Sequence, residues 1–369
     1  MTIKIKGITD LSRFDALYRD EILLAMRRVV ESGWYILGPE VEAFEQEFAA
    51  YLGVNYAVGV ANGTDALLLA LRAVGTEGKR VIVAANAGMY GTLAALDMCC
   101  QPIFVDVNPK TALIDLDGAA RAIKRSEVGA VIVTHLYGRM HELEEFARYA
   151  KSYGVAVIED CAQAHGARRG KTMAGTVGDI GCFSFYPTKN LGAIGDGGAL
   201  VTNDAGLAVK LRQLRQYGWT EKYRVGSLGG KNSRLDELQA AVLRVRLPYL
   251  DEWNAARRAI AERYATMIDH PKVFVPQVGG VEYVAHLMVV RVKDREAFLT
   301  YLRSVGIPFD IHYPIPDYKQ FAIAGDYADV NLPETEAWAR EVVTLPCFPG
   351  MTESEVDKIA FLLNEWGGE

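Results

Sequence analysis

The sequence predicts an α/β protein in which a mostly parallel, seven-stranded sheet flanked by helices is followed by a smaller C-terminal α+β unit. Seven short, nearly continuous apolar runs recur between residues 56 and 202, and helical patterns lie between several of them. At 369 residues the chain exceeds the usual size of one domain, so two cores are expected. Apolar runs without alternation, joined by helical crossovers, belong to a sheet covered on both faces. Ligands of such a sheet gather at the carboxyl ends of its strands.

In chain order, apolar residues at three-and-four spacing predict helices from Glu21 to Ser32 and from Val41 to Leu52, joined by the turn GWYILGPE. The first strand is expected from Tyr56 to Val60. Polar Asn62-Gly63-Thr64-Asp65 then caps an apolar helix, ALLLALRAV. The other strands are placed at 80–84, 102–105, 130–134, 156–159, 181–185 and 198–202, with ELEEFARYAKSYG as one of the intervening helices. After the glycine-rich stretch YGWTEKYRVGSLGGKN, a helical pattern opens at Ser233 and runs to about Asp269, interrupted near Pro248. That proline sets the expected boundary between a large unit, 1–247, and a small one, 248–369. In the small unit VEYVAHLMVVRV and VTLPCF read as strands, and DREAFLTYLRSVG and ESEVDKIAFLLNEW as helices.

Composition narrows the function classes. A net charge of -6 provides no basic footprint for nucleic acid or an anionic membrane, which leaves small-molecule chemistry. The five cysteines, Cys99, Cys100, Cys161, Cys182 and Cys347, are odd in number and lack C-x-x-C spacing, against a disulfide framework or a zinc ribbon. MTIKIKGITD lacks the apolar core of a signal peptide, and no apolar run approaches the roughly 18 residues of a spanning helix. A cytoplasmic protein is expected.

The chemistry concentrates between Val157 and Thr202. Asp160 ends the strand-like VAVIED, where a carboxylate can keep a pyridine nitrogen protonated; the alternative is a helix cap. Gln163 lies within reach of a ring oxygen, or is a polar loop residue. His165 is placed to pack over or beside such a ring, but a lone histidine is more often a structural one. Lys189 sits between an aromatic run and the turn GAIGDGG, where partial desolvation makes a lysine amine a nucleophile and base. Gly63 and Thr64 open a helix whose free N–H groups suit a phosphate, and Ser184 can add a hydroxyl. Tyr90, beside Met89, is the candidate to stack on a ring. Together these groups suit pyridoxal 5'-phosphate with Lys189 as its Schiff-base lysine.

The motifs NGTDAL, EDCAQAHGA, FSFYPTKNLGAIGDGGALVTND and GKNSRLDELQAAVL resemble those of the DegT/StrS nucleotide-sugar aminotransferases, pyridoxal phosphate enzymes of fold type I, over nearly the whole chain. The resemblance implies Lys189 as the cofactor-binding and proton-shuttling residue, Asp160 at the pyridine nitrogen, Gln163 at the ring oxygen, and Thr64 with Ser184 at the phosphate. It also implies that Asn232 reaches the phosphate from a neighbouring subunit, in a homodimer with shared sites. Some relatives carry histidine at the lysine position and deoxygenate the sugar; lysine favours transamination. FYPTKNLGA-GDGGA resembles the branch that aminates C3 of dTDP-linked 3-keto-deoxyhexoses, with L-glutamate the expected donor. By that likeness Tyr186, Lys222, His312 and Tyr313 are candidates for the sugar pocket. The ring-stacking segment departs from the family: NAGMYGT stands where many relatives carry a shorter stretch with its aromatic earlier.

Other motifs fail. HGARRGKT has three residues between its glycines where a P-loop needs four. His141-Glu142 lacks the second histidine of a zinc-protease helix, so no metal site is indicated, and GAIGDGG lacks the context of a dinucleotide turn. Amination at C4, another fold-type I reaction such as an amino-acid lyase, and a ligand-binding regulator on the same fold remain alternatives. The intact lysine and carboxylate argue against the regulator.

Overall fold

The computed structural model describes residues 5–14 and 18–368; residues 1–4 of the N-terminal segment and residue 369, the outer ends of the two expected units, lie outside them. The central sheet has seven strands: β1 (Tyr56–Val60), β2 (Arg80–Ala84), β3 (Gln101–Val105), β4 (Val128–Thr134), β5 (Ala156–Asp160), β6 (Ile180–Ser184) and β7 (Gly198–Thr202). Their spatial order is β1-β7-β6-β5-β4-β2-β3. Only β7 runs against the rest, pairing antiparallel with β1 and β6, while the other neighbours pair in parallel. A hairpin-like return through residues 185–197 makes that reversal, with no helix between β6 and β7.

Side-chain alternation explains the unbroken apolar runs. Ile82, Val131, Val133 and Val157 join one buried cluster, whereas Val81, Val83, Ala130, Ile132 and Ile158 join the cluster on the opposite face. Both faces are covered, so neither set is polar. The first cluster continues into the C-terminal layer, taking in Met288, Phe298, Trp338 and Val342. There a three-stranded antiparallel sheet, Val273–Phe274, Met288–Val292 and Val342–Leu345, packs with helices Arg295–Val305 and Glu353–Asn364. Among the described residues no helix is long and apolar enough to cross a membrane.

Several expectations are corrected. The helix expected to open at Ser233 starts at Glu237, after Asp236; Ser233 instead accepts the Ala61 N–H at 3.1 Å, tying the loop to the end of β1. The interruption at Pro248 is a 3-10 turn, Leu247–Tyr249, through which the chain passes into helix Leu250–Met267. The glycine-rich stretch, for which the sequence pattern predicts no strand, contains a small hairpin, Trp219–Glu221 with Arg224–Val225. VEYVAHLMVVRV is extended only over Met288–Val292, because Val284 and Leu287 bond to the 137–138 turn instead. HGARRGKT is crossed by another small hairpin, Arg168–Arg169 with Thr172–Met173.

Glu237 shows how the entry helices are fixed. Its carboxylate, 1% exposed, accepts from the N–H groups of Gly38 (2.8 Å), Glu40 (2.8 Å) and Val41 (2.9 Å) at the start of helix Pro39–Leu52. An anion at a helix N-terminus satisfies donors that the helix itself leaves unpaired. Glu237→Ala should therefore cost about 2–4 kcal/mol, read as a lowered urea midpoint; an unchanged midpoint would show the cap to be dispensable.

Candidate active site

The carboxyl ends of β4, β5 and β6 bring Thr134, Asp160 and Ser184 to one rim. Thr134 pairs with Asp160 across the parallel ladder. Its hydroxyl donates to Asp160 Oδ2 at 3.3 Å, and the Ala162 N–H donates to Oδ1 at 3.1 Å. Asp160 is 5% exposed, and burial pushes its pKa above the usual 3.8, opposed by the Ala162 N–H, the charge of Lys189 and the Thr134 hydroxyl. The pairing with Thr134 has a signal in the sequence, a hydroxyl ending the apolar run VIVT, which becomes legible only once the register is known.

Lys189 lies in the turn after β6, its N–H bonded to Tyr186 O at 2.8 Å. The turn is closed at its base by Phe185 N–H to Gly197 O and Ala193 N–H to Phe185 O, both 2.7 Å, and Arg246 donates to the carbonyls of Gly192 and Ala193 from beneath. Burial brings the lysine amine down from 10.5 to about 8, against the Asp160 carboxylate, which favours the ammonium. A substantial fraction of neutral amine is then present in mildly alkaline solution, as a nucleophile or general base requires.

Opposite, helix Gly63–Ala73 points its N-terminus into the same space. Asn62 caps it, its side chain accepting the Asp65 N–H at 2.8 Å. Two glycines make the approach possible. A Cβ on Gly63 would stand 2.6 Å from Ser184 Cβ, and one on Gly198 would stand 2.5 Å from the backbone of Asn62. The free N–H groups of a first helical turn beside a hydroxyl form a cradle for an oxyanion. Thr64, Tyr90, Asp160, Ser184, Tyr186 and Lys189 all line one cleft of about 550 Å³.

Gln163 is held beside this cleft. Its Oε1 accepts the Tyr137 N–H at 2.6 Å and its Nε2 donates to Tyr313 Oη at 3.1 Å. Tyr313 meets Tyr90 edge-on, with ring centroids 6.3 Å apart. Tyr90 is half-exposed and opens helix Tyr90–Asp97 after Met89, whose φ is +70°. His165 is fully buried between Phe183 and Phe185, and burial with the nearby Lys189 charge lowers its pKa to about 3. Three candidates are not brought to the cleft of this chain. Lys222 is exposed in the hairpin loop with its amine 5.2 Å from the Tyr223 ring. Asn232 is exposed and bridges to Gln216. His312 is turned to Thr344, Nδ1 to Oγ1 at 2.9 Å.

Sequence reasoning missed Asp317, which lies 228 positions after Met89. Its carboxylate accepts the Met89 N–H at 3.0 Å and the Thr92 hydroxyl at 2.6 Å, so it caps the helix that presents Tyr90. The buried cluster of His135, Glu159 and Cys161 is not idle either. Glu159 accepts from His135 and from the N–H groups of Gly175, Val177 and Gly178, which pins the turn before β6.

Burial raises Asp317 from 3.8 to about 6. Folding therefore favours its protonated form, and the stability this group provides is largest below pH 3.8 and is lost as pH rises to about 6, by up to about 3 kcal/mol. Asp317→Asn can keep both bonds, since the Thr92 hydroxyl also accepts. The variant should lose that pH dependence, and urea midpoints that fall between pH 4 and 6 as steeply as in the parent would contradict the assignment.

Comparison with known proteins follows the same line. The profile of the DegT/DnrJ/EryC1/StrS aminotransferase family matches residues 17–364. The chain is 46% identical over 360 residues to the dTDP-3-amino-3,6-dideoxy-alpha-D-galactopyranose transaminase of Aneurinibacillus thermoaerophilus, covering 97% of this chain and 98% of the relative. It is 42% identical over 356 residues to the dTDP-3-amino-3,4,6-trideoxy-alpha-D-glucose transaminase of Micromonospora megalomicea subsp. nigra, covering 94% and 95%. Among solved structures, NtdA from Bacillus subtilis with bound cofactor PMP superposes with a TM-score of 0.92 at 30% identity, covering 99% of this chain and 85% of that one.

Proposed function

The chain belongs to the DegT/DnrJ/EryC1/StrS aminotransferase family, and from that premise we propose that it aminates C3 of a dTDP-linked 3-keto-deoxyhexose, with pyridoxal 5'-phosphate as cofactor and L-glutamate as donor. The observation that carries this reading is a lysine amine lowered to about 8 in the same cleft as a buried strand-end carboxylate. The two named relatives both make 3-amino sugars, and they differ in whether C4 is deoxygenated. Position 189 is lysine, which supports transamination over deoxygenation.

The residues present fit the cofactor. The Gly63 cradle, which any Cβ would close against Ser184, suits the phosphate, with Thr64 and Ser184 adding hydroxyls. Asp160 suits the pyridine nitrogen, Gln163 the ring oxygen and Tyr90 the ring face. When bound, pyridoxal phosphate supplies an aldehyde and a ring that accepts electron density. Asp160 contributes a fixed negative charge that keeps a proton on a neighbouring ring nitrogen. Lys189 Nζ takes a proton at the donor's α-carbon and returns one at the acceptor carbon, a role its lowered pKa suits. Tyr186 and Tyr313 are proposed for the sugar pocket, together with His312, which stands outside the cleft with its ring 5.3 Å from that of Tyr313, and with Lys222 reaching in from a second subunit. The division into units 1–247 and 248–369 is proposed alongside.

The test is to incubate the protein with pyridoxal phosphate, glutamate and a panel of keto-sugar nucleotides, and to locate the new amine by NMR. Amination at C3 is expected; a product aminated only at C4, or no amine, rejects the proposal. Lys189→Ala should remove turnover by at least about 10²–10⁴-fold, and Asp160→Asn should lower it by orders of magnitude while cofactor still binds.

Asn232 and Lys222 lie outside the cleft of their own chain, and the large apolar side chains of Leu23, Leu24, Trp34, Tyr35 and Leu228 are exposed. This supports a homodimer in which residues of one subunit complete the site of the other. Mixing inactive Lys189→Ala with an inactive Asn232 variant under subunit exchange should then restore activity, because one site of the heterodimer carries neither defect. Verified exchange without recovery excludes shared sites.

A further inference from the structure

We propose that Asn190 and His286 form the positioning pair of Lys189, a hydrogen bond between them locking the residue next to the lysine and so fixing where its amine sits. The inference deepens the reading of Lys189 given above and rests on it. Asn190 follows Lys189 directly and is 2% exposed. Its Nδ2 donates to Val284 O at 2.9 Å and to Asn254 Oδ1 at 2.8 Å. A backbone carbonyl can only accept, so Val284 O dictates which way the amide points. Asn190 Oδ1 then faces His286 Nδ1 at 3.0 Å, and that nitrogen must carry the hydrogen. The tautomer of a buried histidine is thereby set by a carbonyl two residues before it.

The brace is anchored on three sides. Helix Leu250–Met267 presents Asn254 and Arg257 from one face. Asn254 Nδ2 donates to His165 O at 2.8 Å, and Arg257 donates to Cys347 O at 2.5 Å and also approaches the His286 carbonyl. The Val284 N–H bonds to Gly138 O at 2.9 Å, and the adjacent Tyr137 N–H holds Gln163. One segment therefore supports both the lysine and the glutamine. The groups around His286 are Lys189, Arg257, His165 and His312, which together with burial favour the neutral ring. Protonating His286 would leave its Nδ1 hydrogen in place, so the bond to Asn190 does not depend on pH.

Positioning matters because a misplacement of about 1 Å can cost about 10²-fold in rate. The experiment is a pH titration of the cofactor absorbance in the reconstituted holoenzyme, with steady-state kinetics, for His286→Phe, Asn190→Leu and His286→Asn. An asparagine at 286 restores an amide N–H near the place of Nδ1. The expected result is a titration midpoint moved by about one pH unit in His286→Phe and Asn190→Leu, with kcat lowered about 10- to 100-fold at unchanged KM for the sugar nucleotide. His286→Asn should lie close to the parent. Unmoved midpoints in both disruptive variants, or a His286→Asn protein as impaired as His286→Phe, would overturn the proposal. Where a disruptive variant does not fold, Asn190→Ser, smaller and unable to span both partners, is read by the same titration and decides in the same way. Lack of any cofactor band in the parent protein would overturn the cofactor reading and this pair together, whereas a parent band with unmoved variants rejects the pair alone.

Discussion

A carboxylate and an amine share one desolvated cleft, and much of the surrounding architecture answers to that constraint. Burial alone disfavours both charges. Each charge offsets part of the other's cost: Asp160 draws the lysine toward its ammonium form, and Lys189 draws the aspartate toward its carboxylate. Thr134 and the Ala162 N–H add neutral donors that hold the carboxylate without cancelling its charge. The result is an acid that remains available to a cation and an amine that can lose its proton, the two properties that the proposed amino-group transfer would use.

The fold delivers these groups through strand ends. Parallel register places Thr134 beside Asp160, and the reversal of β7 sets Gly198 against Ser184. Gly63 and Gly198 then let the next helix come close enough to aim its N-terminus at the cleft. A sheet of the same composition with a different strand order would keep its core and lose the site. Stability of the core and placement of the chemistry are thus separate demands, met by different residues.

The C-terminal third works at a distance. Asp317 caps the helix that carries Tyr90, Tyr313 reaches Gln163 and Tyr90, and His286 holds the neighbour of Lys189. The hydrogen bonds among these contacts join segments roughly 95 to 230 residues apart in the chain. The groups proposed to react lie between Gly63 and Lys189, and the later part of the chain holds them still. The buried cluster that runs without a break from the sheet into the C-terminal layer gives those contacts a rigid base.

What the sequence determined by itself was local. Apolar runs of four to five residues with helical segments between them are enough to write down the seven strands, three with the very bounds observed, because a strand buried on both faces must be continuously apolar whatever its neighbours are. The same holds for Asp160 at the end of an apolar run, for Gly63 at the start of an apolar helix, for Ser184 in its strand and for Lys189 in its glycine-rich turn. Tertiary structure decided the rest. The strand order, the reversal of β7, and the parts played by Thr134, Asp317, Asn190 and His286 follow from pairings between distant segments, and a threonine or histidine far along the chain looks the same whether or not a partner awaits it. The helix start that moved from Ser233 to Glu237 has the same cause: a serine suited to a cap found its partner at the end of β1, and a tertiary hydrogen bond prevailed over a local preference.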